Sequence, residues 1–132
     1  MRVVLADDEE RVRHALRIVL GRQPDLDVVG EAAQAADLFT LLAGEPVDLL
    51  ILDWRLPGFT PAGGLSQLQQ YAPDLIIIAL SGRPEVGADA HAAGVHAFIS
   101  KIDPPRTLLD TIQRLTRPGQ PGSQNYLSVN QP

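Results

Sequence analysis

Five polar side chains stand where apolar runs end, and their types suit the transfer of a phosphoryl group. Asp7 and Asp8 follow Val3-Val4-Leu5-Ala6, and Asp53 ends the run Val47-Asp48-Leu49-Leu50-Ile51-Leu52. Ser81 follows Leu75-Ile76-Ile77-Ile78-Ala79-Leu80, and Lys101 follows Ala97-Phe98-Ile99-Ser100. Three carboxylates held together repel, so a site built from them is strained or partly protonated unless a cation joins it. A hard divalent ion relieves the repulsion, and Mg²⁺ suits a site with few protein ligands and several retained waters. The Ser81 hydroxyl adds a donor and Lys101 a positive charge. Together with Mg²⁺ they can neutralise the equatorial oxygens of a transferring phosphoryl group. Asp53 then becomes the nucleophile of an acyl phosphate. Singly, each residue has a plainer use: Asp8 as a helix N-cap, Ser81 in a turn, Lys101 on the surface, Asp53 in a solvated loop. The signal is their joint placement at four strand exits.

The elements that must position them follow from the apolar pattern. The run ending in Asp53 is short and apolar, as in a strand buried on both faces of a parallel sheet. Trp54-Arg55-Leu56-Pro57-Gly58 then stops regular structure. Further strands are expected at 3–6, 26–29, 75–80 and 97–99, the second more polar and at an edge. Helices are expected over 9–20, 35–43, 65–72 and 85–93, with a fifth opening at Asp103-Pro104-Pro105. The first has Val12, Ala15, Leu16, Val19 and Leu20 on one apolar face, Asp8 as N-cap and Gly21 as its stop. Pro61 and Gly63-Gly64 imply an irregular loop over 58–64. The fourth helix is alanine-rich and lightly packed, with Gly94 ending it. The fifth takes Asp103 as N-cap, Pro104 in its first turn, and Leu108, Leu109, Ile112 and Leu115 inward. Strand and helix alternate five times, which gives an α/β fold: a doubly wound parallel sheet with right-handed crossovers. The most apolar runs belong at its centre, so the strand order is the flavodoxin-like 2-1-3-4-5. The first and third strands then flank the switch point, where the three carboxylates converge.

The chain has 132 residues, enough for one domain with a real core. It has no cysteine, which excludes disulfides and thiolate metal sites. A net charge of −5 argues against direct nucleic-acid binding by this stretch. No apolar stretch approaches the roughly 20 residues of a membrane span. The first apolar run is broken at once by Asp7-Asp8-Glu9-Glu10, unlike a signal peptide. A cytoplasmic domain is expected. The folded part is 1–117, and 118–132, rich in Pro, Gly, Ser, Gln and Asn, is expected to be a flexible linker or tail. His14, His91 and His96 are taken as surface or loop residues that form no metal cluster.

These motifs closely resemble the CheY-like receiver domain of bacterial two-component response regulators. The match rests on Val4-Leu5-Ala6-Asp7-Asp8, Ile51-Leu52-Asp53 with Leu56-Pro57-Gly58, Ala79-Leu80-Ser81-Gly82 and Phe98-Ile99-Ser100-Lys101. The resemblance implies that Asp53 accepts a phosphoryl group from the phosphohistidine of a sensor histidine kinase. It also implies that Asp8 ligates Mg²⁺ directly, Asp7 acts largely through water, and Arg55 contributes its backbone carbonyl. Ser81 would bind a phosphoryl oxygen and Lys101 would pair with it. In switching, Ser81 moves toward the phosphate and Phe98 turns inward, changing the face made by the fourth helix, fifth strand and fifth helix; plain core packing is the other reading of Phe98. A homodimer through that face, or through the first and fifth helices, is a further expectation. The domain would be no conventional enzyme, catalysing only its own phosphorylation and dephosphorylation.

The chain also departs from the family pattern. Ile102 follows Lys101 where the family often has a cis proline, and Asp103-Pro104-Pro105 comes after, which looks like the LuxR or NarL subgroup with a helix-turn-helix output. Transcription is then the expected output, through a domain outside this stretch. Arg55 and Arg83 lie two residues after Asp53 and Ser81, where this family tunes phosphate lifetime; they would either order or block the attacking water, or stand in solvent. Two other functions compete. A haloacid dehalogenase-like phosphatase also uses a strand-end Asp with Mg²⁺, but wants a carboxylate where Arg55 stands. A phosphorylation-independent docking module, or a stand-alone receiver, would share the fold.

Overall fold

The structure, a computed structural model, describes residues 1–117. The expected linker or tail at 118–132 lies outside them. Five strands, β1 Arg2–Ala6, β2 Asp27–Ala32, β3 Leu49–Asp53, β4 Ile76–Ser81 and β5 Ala97–Ser100, form one parallel sheet in the order β2-β1-β3-β4-β5. Between them run α1 Glu10–Gly21, α2 Ala35–Gly44, α3 Pro61–Tyr71 and α4 Gly87–Ala93, with α5 Pro105–Thr116 last and a 3₁₀ turn, Pro84–Val86, leading into α4. The expected architecture and strand order are therefore both present. No helix among the described residues is long and apolar enough to cross a membrane.

Alternation along the strands builds two cores. Val4, Ala6, Leu50, Leu52, Ile77 and Ala79 pack with Leu38, Leu42, Leu65, Leu68 and Ala90 of α2, α3 and α4. Val3, Leu5, Leu49, Ile51, Ile78 and Leu80 pack with Leu20 of α1 and Leu108, Ile112 and Leu115 of α5. All five residues of β3 are buried, which explains why that run carries no alternating polar positions.

Several expected boundaries move, each for a physical reason. The loop expected over 58–64 is in large part helix, because α3 opens on Pro61, whose fixed φ suits a first helical turn. Gly64 lies inside α3 beneath the Phe59 ring; a Cβ there would stand 2.8 Å from Phe59 Cζ. A glycine pair read as a break is thus half a packing device. Asp8 is not the N-cap of α1: the helix starts at Glu10, Glu9 holds the cap position, and Asp7 Oδ1 accepts the Glu9 N–H at 2.9 Å. Gly21 is the last residue of α1 and not a left-handed stop, whereas Gly94 ends α4 with φ +113°. Asp103 does not cap α5; Pro104 takes that position, and Asp103 Oδ2 instead accepts the Ser100 N–H at 3.0 Å. Of the apolar face of α1 only Leu20 is buried, and Ala15 is exposed. Ion pairs from Arg13 and Arg17 to Glu31, at 2.8 and 2.7 Å, also tie that helix to β2.

His96 is a further correction, being neither a surface nor a loop bystander. It is half-buried just before β5, and its Nδ1 accepts the Ile77 N–H at 3.0 Å while its backbone N–H donates to the Ile77 carbonyl at 2.9 Å. Burial pushes its imidazole below the ordinary value of 6.5. The unfolded chain therefore binds the proton first, so this contribution is complete above about pH 6.5 and is lost as pH falls through the lower folded value. Urea unfolding followed by circular dichroism should show stability declining on that acidic limb. His96→Asn, which keeps an acceptor that does not titrate, should flatten the decline; an unchanged slope would remove His96 as its cause.

Candidate functional site

The carboxyl ends of β1, β3, β4 and β5 bring the five expected side chains to one pole of the sheet. Asp7 follows β1 directly and extends its pairing, donating its N–H to the Ala32 carbonyl at 2.9 Å; its side chain is fully buried. Asp8, one residue on, is exposed. Asp53 ends β3 and is buried, its Oδ1 accepting the Arg55 N–H at 3.0 Å. The next residue, Trp54, donates its N–H to the Leu80 carbonyl at 2.8 Å, and its indole packs at 6.4 Å from the Phe59 ring, centroid to centroid. Ser81 ends β4, buried, with Oγ accepting the Arg83 N–H at 3.0 Å. Lys101 donates its backbone N–H to the Ser81 carbonyl at 2.8 Å, so β5 hands its lysine to the site beside the serine.

Lys101 Nζ lies 2.8 Å from Asp7 Oδ2, 2.9 Å from Glu9 Oε1 and 3.5 Å from Asp53 Oδ2. Burial alone would lower this ammonium, but the three carboxylates outweigh it and hold it above its ordinary value. Burial pushes the Asp7 carboxyl up, against the opposing pull of Lys101 and of the Glu9 N–H. Lys101 holds the Glu9 carboxyl down. Although close to Lys101, Asp7 Oδ2 lies off the direction of a good hydrogen bond and has no hydrogen-bond donor. One oxygen each from Asp7, Asp8 and Asp53 falls within 4.8 Å of the others. A buried carboxylate oxygen without a donor, facing two more carboxylates, fits a hard oxygen-seeking cation.

The site opens into a cleft of about 380 Å³ whose lining includes Asp8, Asp53, Arg55, Ser81, Arg83 and Lys101. Arg55 and Arg83 are both exposed at its mouth, and Arg83 pairs with Glu85 at 3.2 Å. Phe98 is half-buried and beside Ala79 across the β4–β5 pairing; it lies against Gly87 at the start of α4, where a Cβ would stand 3.1 Å from its ring. Sequence reasoning missed Glu9 as a part of this site. Its trace in the sequence is a third carboxylate directly after the acidic pair, at a position that the helical pattern over 9–20 also explains.

The family model of the response regulator receiver domain matches residues 3–113. This chain belongs to that family. Receiver domains are the phospho-accepting parts of two-component response regulators, phosphorylated by sensor kinases. The chain is 35% identical over 103 residues to the DNA-binding transcriptional activator DevR/DosR of Mycobacterium tuberculosis, covering 76% of this chain and 48% of that protein. It is 30% identical over 131 residues to the hydrogenase transcriptional regulatory protein HoxA of Cupriavidus necator, covering 96% of this chain and 27% of HoxA. It thus spans about half or less of these relatives. Among solved structures, the NarL signal receiver domain of M. tuberculosis superposes with a TM-score of 0.71 at 26% identity, covering 83% of this chain and 93% of that one. DevR and NarL are relatives of the LuxR/NarL type, the subgroup expected from the residues after Lys101.

Proposed function

We propose that this receiver domain, residues 1–117, is a phosphorylation-operated switch with Asp53 as phosphoacceptor. The observation that carries this is the buried Asp53 carboxylate, within 3.5 Å of Lys101, beside an Asp7 oxygen that lacks a hydrogen-bond donor. A carboxylate oxygen of Asp53 attacks phosphorus; a P–O bond forms as the P–N bond of a sensor kinase phosphohistidine breaks, and imidazole leaves. Lys101 neutralises one phosphoryl oxygen and the Ser81 hydroxyl donates to another. Asp7, Asp8, Asp53 and the Arg55 backbone carbonyl would hold Mg²⁺, which when bound supplies positive charge against the transferring group. The Ser81 hydroxyl now accepts the Arg83 N–H and must turn to donate to phosphate. Phe98, against Gly87, is placed to follow and to change the α4–β5–α5 face.

The domain is no conventional enzyme in this reading; it acts only on its own acyl phosphate. Its place is the cytoplasm, where kinase and regulator meet. Its output is transcription where a DNA-binding region accompanies it in the full chain, as the name of its relative DevR/DosR, a DNA-binding transcriptional activator, suggests.

Intact mass after incubation with Mg²⁺ and acetyl phosphate tests the reading. One phosphoryl group should be gained, and neither chelation of the metal nor Asp53→Asn should leave any gain. A gain that survives Asp53→Asn would place the acceptor elsewhere. No gain, together with no Trp54 fluorescence response to beryllofluoride, would leave only the docking-module reading.

A further inference from the structure

The Lys101 ammonium has one more anionic partner than the proposed chemistry uses. Asp7 and Asp53 belong to the cluster of carboxylates that faces a cation, and Glu9 does not. Yet Glu9 Oε1 is 2.9 Å from Lys101 Nζ, closer than Asp53 Oδ2 at 3.5 Å. The two carboxylates differ in freedom. Asp53 is buried at a strand end. The Glu9 backbone is pinned by its N–H on Asp7 Oδ1, but its side chain is 46% exposed and reaches Lys101 from the rim of the cleft. It can swing into water without disturbing α1.

We propose that Glu9 is a positioning residue: a detachable counter-ion that holds Lys101 while Asp53 is unmodified and must release it when the phosphoryl group forms. This rests on the assignment of Asp53 as phosphoacceptor. Phosphorylation replaces the single negative charge of Asp53 by about two, a net gain of about one in the cleft that Glu9 lines. Glu9 lies 2.9 Å from the ammonium and lines the cleft that the phosphoryl group would enter, so Glu9 and the phosphoryl oxygens draw on the same positive charge. The Glu9 carboxylate favours the unmodified state twice over, by occupying Lys101 and by repelling the incoming charge. It is thus a brake on phosphorylation, set by one side chain outside the metal cluster.

The test compares Glu9→Gln with Glu10→Gln, which removes the same charge from an adjacent exposed residue with no contact to Lys101. Beryllofluoride with Mg²⁺ is titrated against Trp54, the one tryptophan of the chain. Glu9→Gln should bind about two- to fivefold more tightly than the unaltered protein, the scale of one partly exposed ion pair. Its initial rate of phosphorylation by acetyl phosphate should rise by a similar factor, and Glu10→Gln should change neither. The gap should narrow in ~1 M salt, where charges are screened beyond ~3 Å. Equal affinity in Glu9→Gln and the unaltered protein, weaker binding by Glu9→Gln, or an equal rise in Glu10→Gln would overturn the inference. If the unaltered protein takes up phosphate on Asp53 and Glu9→Gln behaves like it, only the brake fails. If the unaltered protein responds to neither reagent, the assignment of Asp53 fails and takes the brake with it.

Discussion

Lys101→Ala should lower the stability of the protein in chelator by about 2–3 kcal/mol, and added Mg²⁺ should restore most of it. Asp7 is fully buried, and among the described residues Lys101 is the only cation paired with its side chain. Removing the ammonium leaves a buried carboxylate beside that of Asp53, each with one backbone N–H donor and no paired cation among the described residues. Breaking a wholly buried pair costs roughly 3–5 kcal/mol. Lys101 retains 17% exposure, and Asp7 can take up a proton, so the cost falls to the bottom of that range or just below it. Burial already raises the Asp7 carboxyl, and loss of Lys101 raises it further. The native state then binds the extra proton, so the loss is greatest above the folded value and fades as pH falls through it. Urea unfolding with chelator and with Mg²⁺ reads the effect, since a cation that binds only the folded state adds stability by mass action. Equal midpoints for variant and unaltered protein in chelator would mean that the Asp7 charge is compensated elsewhere.

Adjacent glycines in α3 should respond to alanine with opposite signs. Both lie in a helix, where alanine is favoured over glycine by about 1 kcal/mol. At Gly63 nothing lies within 4 Å of the added Cβ, so Gly63→Ala should stabilise by up to that amount. At Gly64 the Cβ would press into the Phe59 ring, which also packs at 6.4 Å from Trp54, centroid to centroid. Overpacking typically costs 1–3 kcal/mol and exceeds the helix gain, so Gly64→Ala should destabilise by about 1–2 kcal/mol. Trp54 emission should shift in Gly64→Ala and stay fixed in Gly63→Ala. Stabilisation by both substitutions would show that the Phe59 ring yields without cost.

The strand ends were legible in the sequence because burial makes them so. A strand covered on both faces must be apolar throughout, and the first polar residue after it marks the exit. Asp7, Asp53, Ser81 and Lys101 were found that way, and the structure puts their side chains at one pole. What escaped were residues whose partners are remote in the chain. Gly64 looks like a loop glycine until Phe59 is seen above it. His96 looks like a turn residue until the Ile77 N–H is found on its ring. Asp103 and Asp8 have the chemistry of caps, but the former is drawn back to Ser100, and at the latter site Asp7 does the local work. Glu9 was hidden by its neighbours: one more acid at a helix start carries no sign that a lysine 92 residues away will reach it.

The parallel sheet also decides how the molecule would stand on a surface. Arg2 begins a central strand at the pole opposite the carboxylates, and α5 follows β5 and runs back toward that same pole, ending at Thr116. Both attachment points of the described chain therefore lie on its underside. Held to a sensor chip or a bead at residue 1 or at residue 117, the domain would stand with its acidic cleft uppermost, open to whatever flows past.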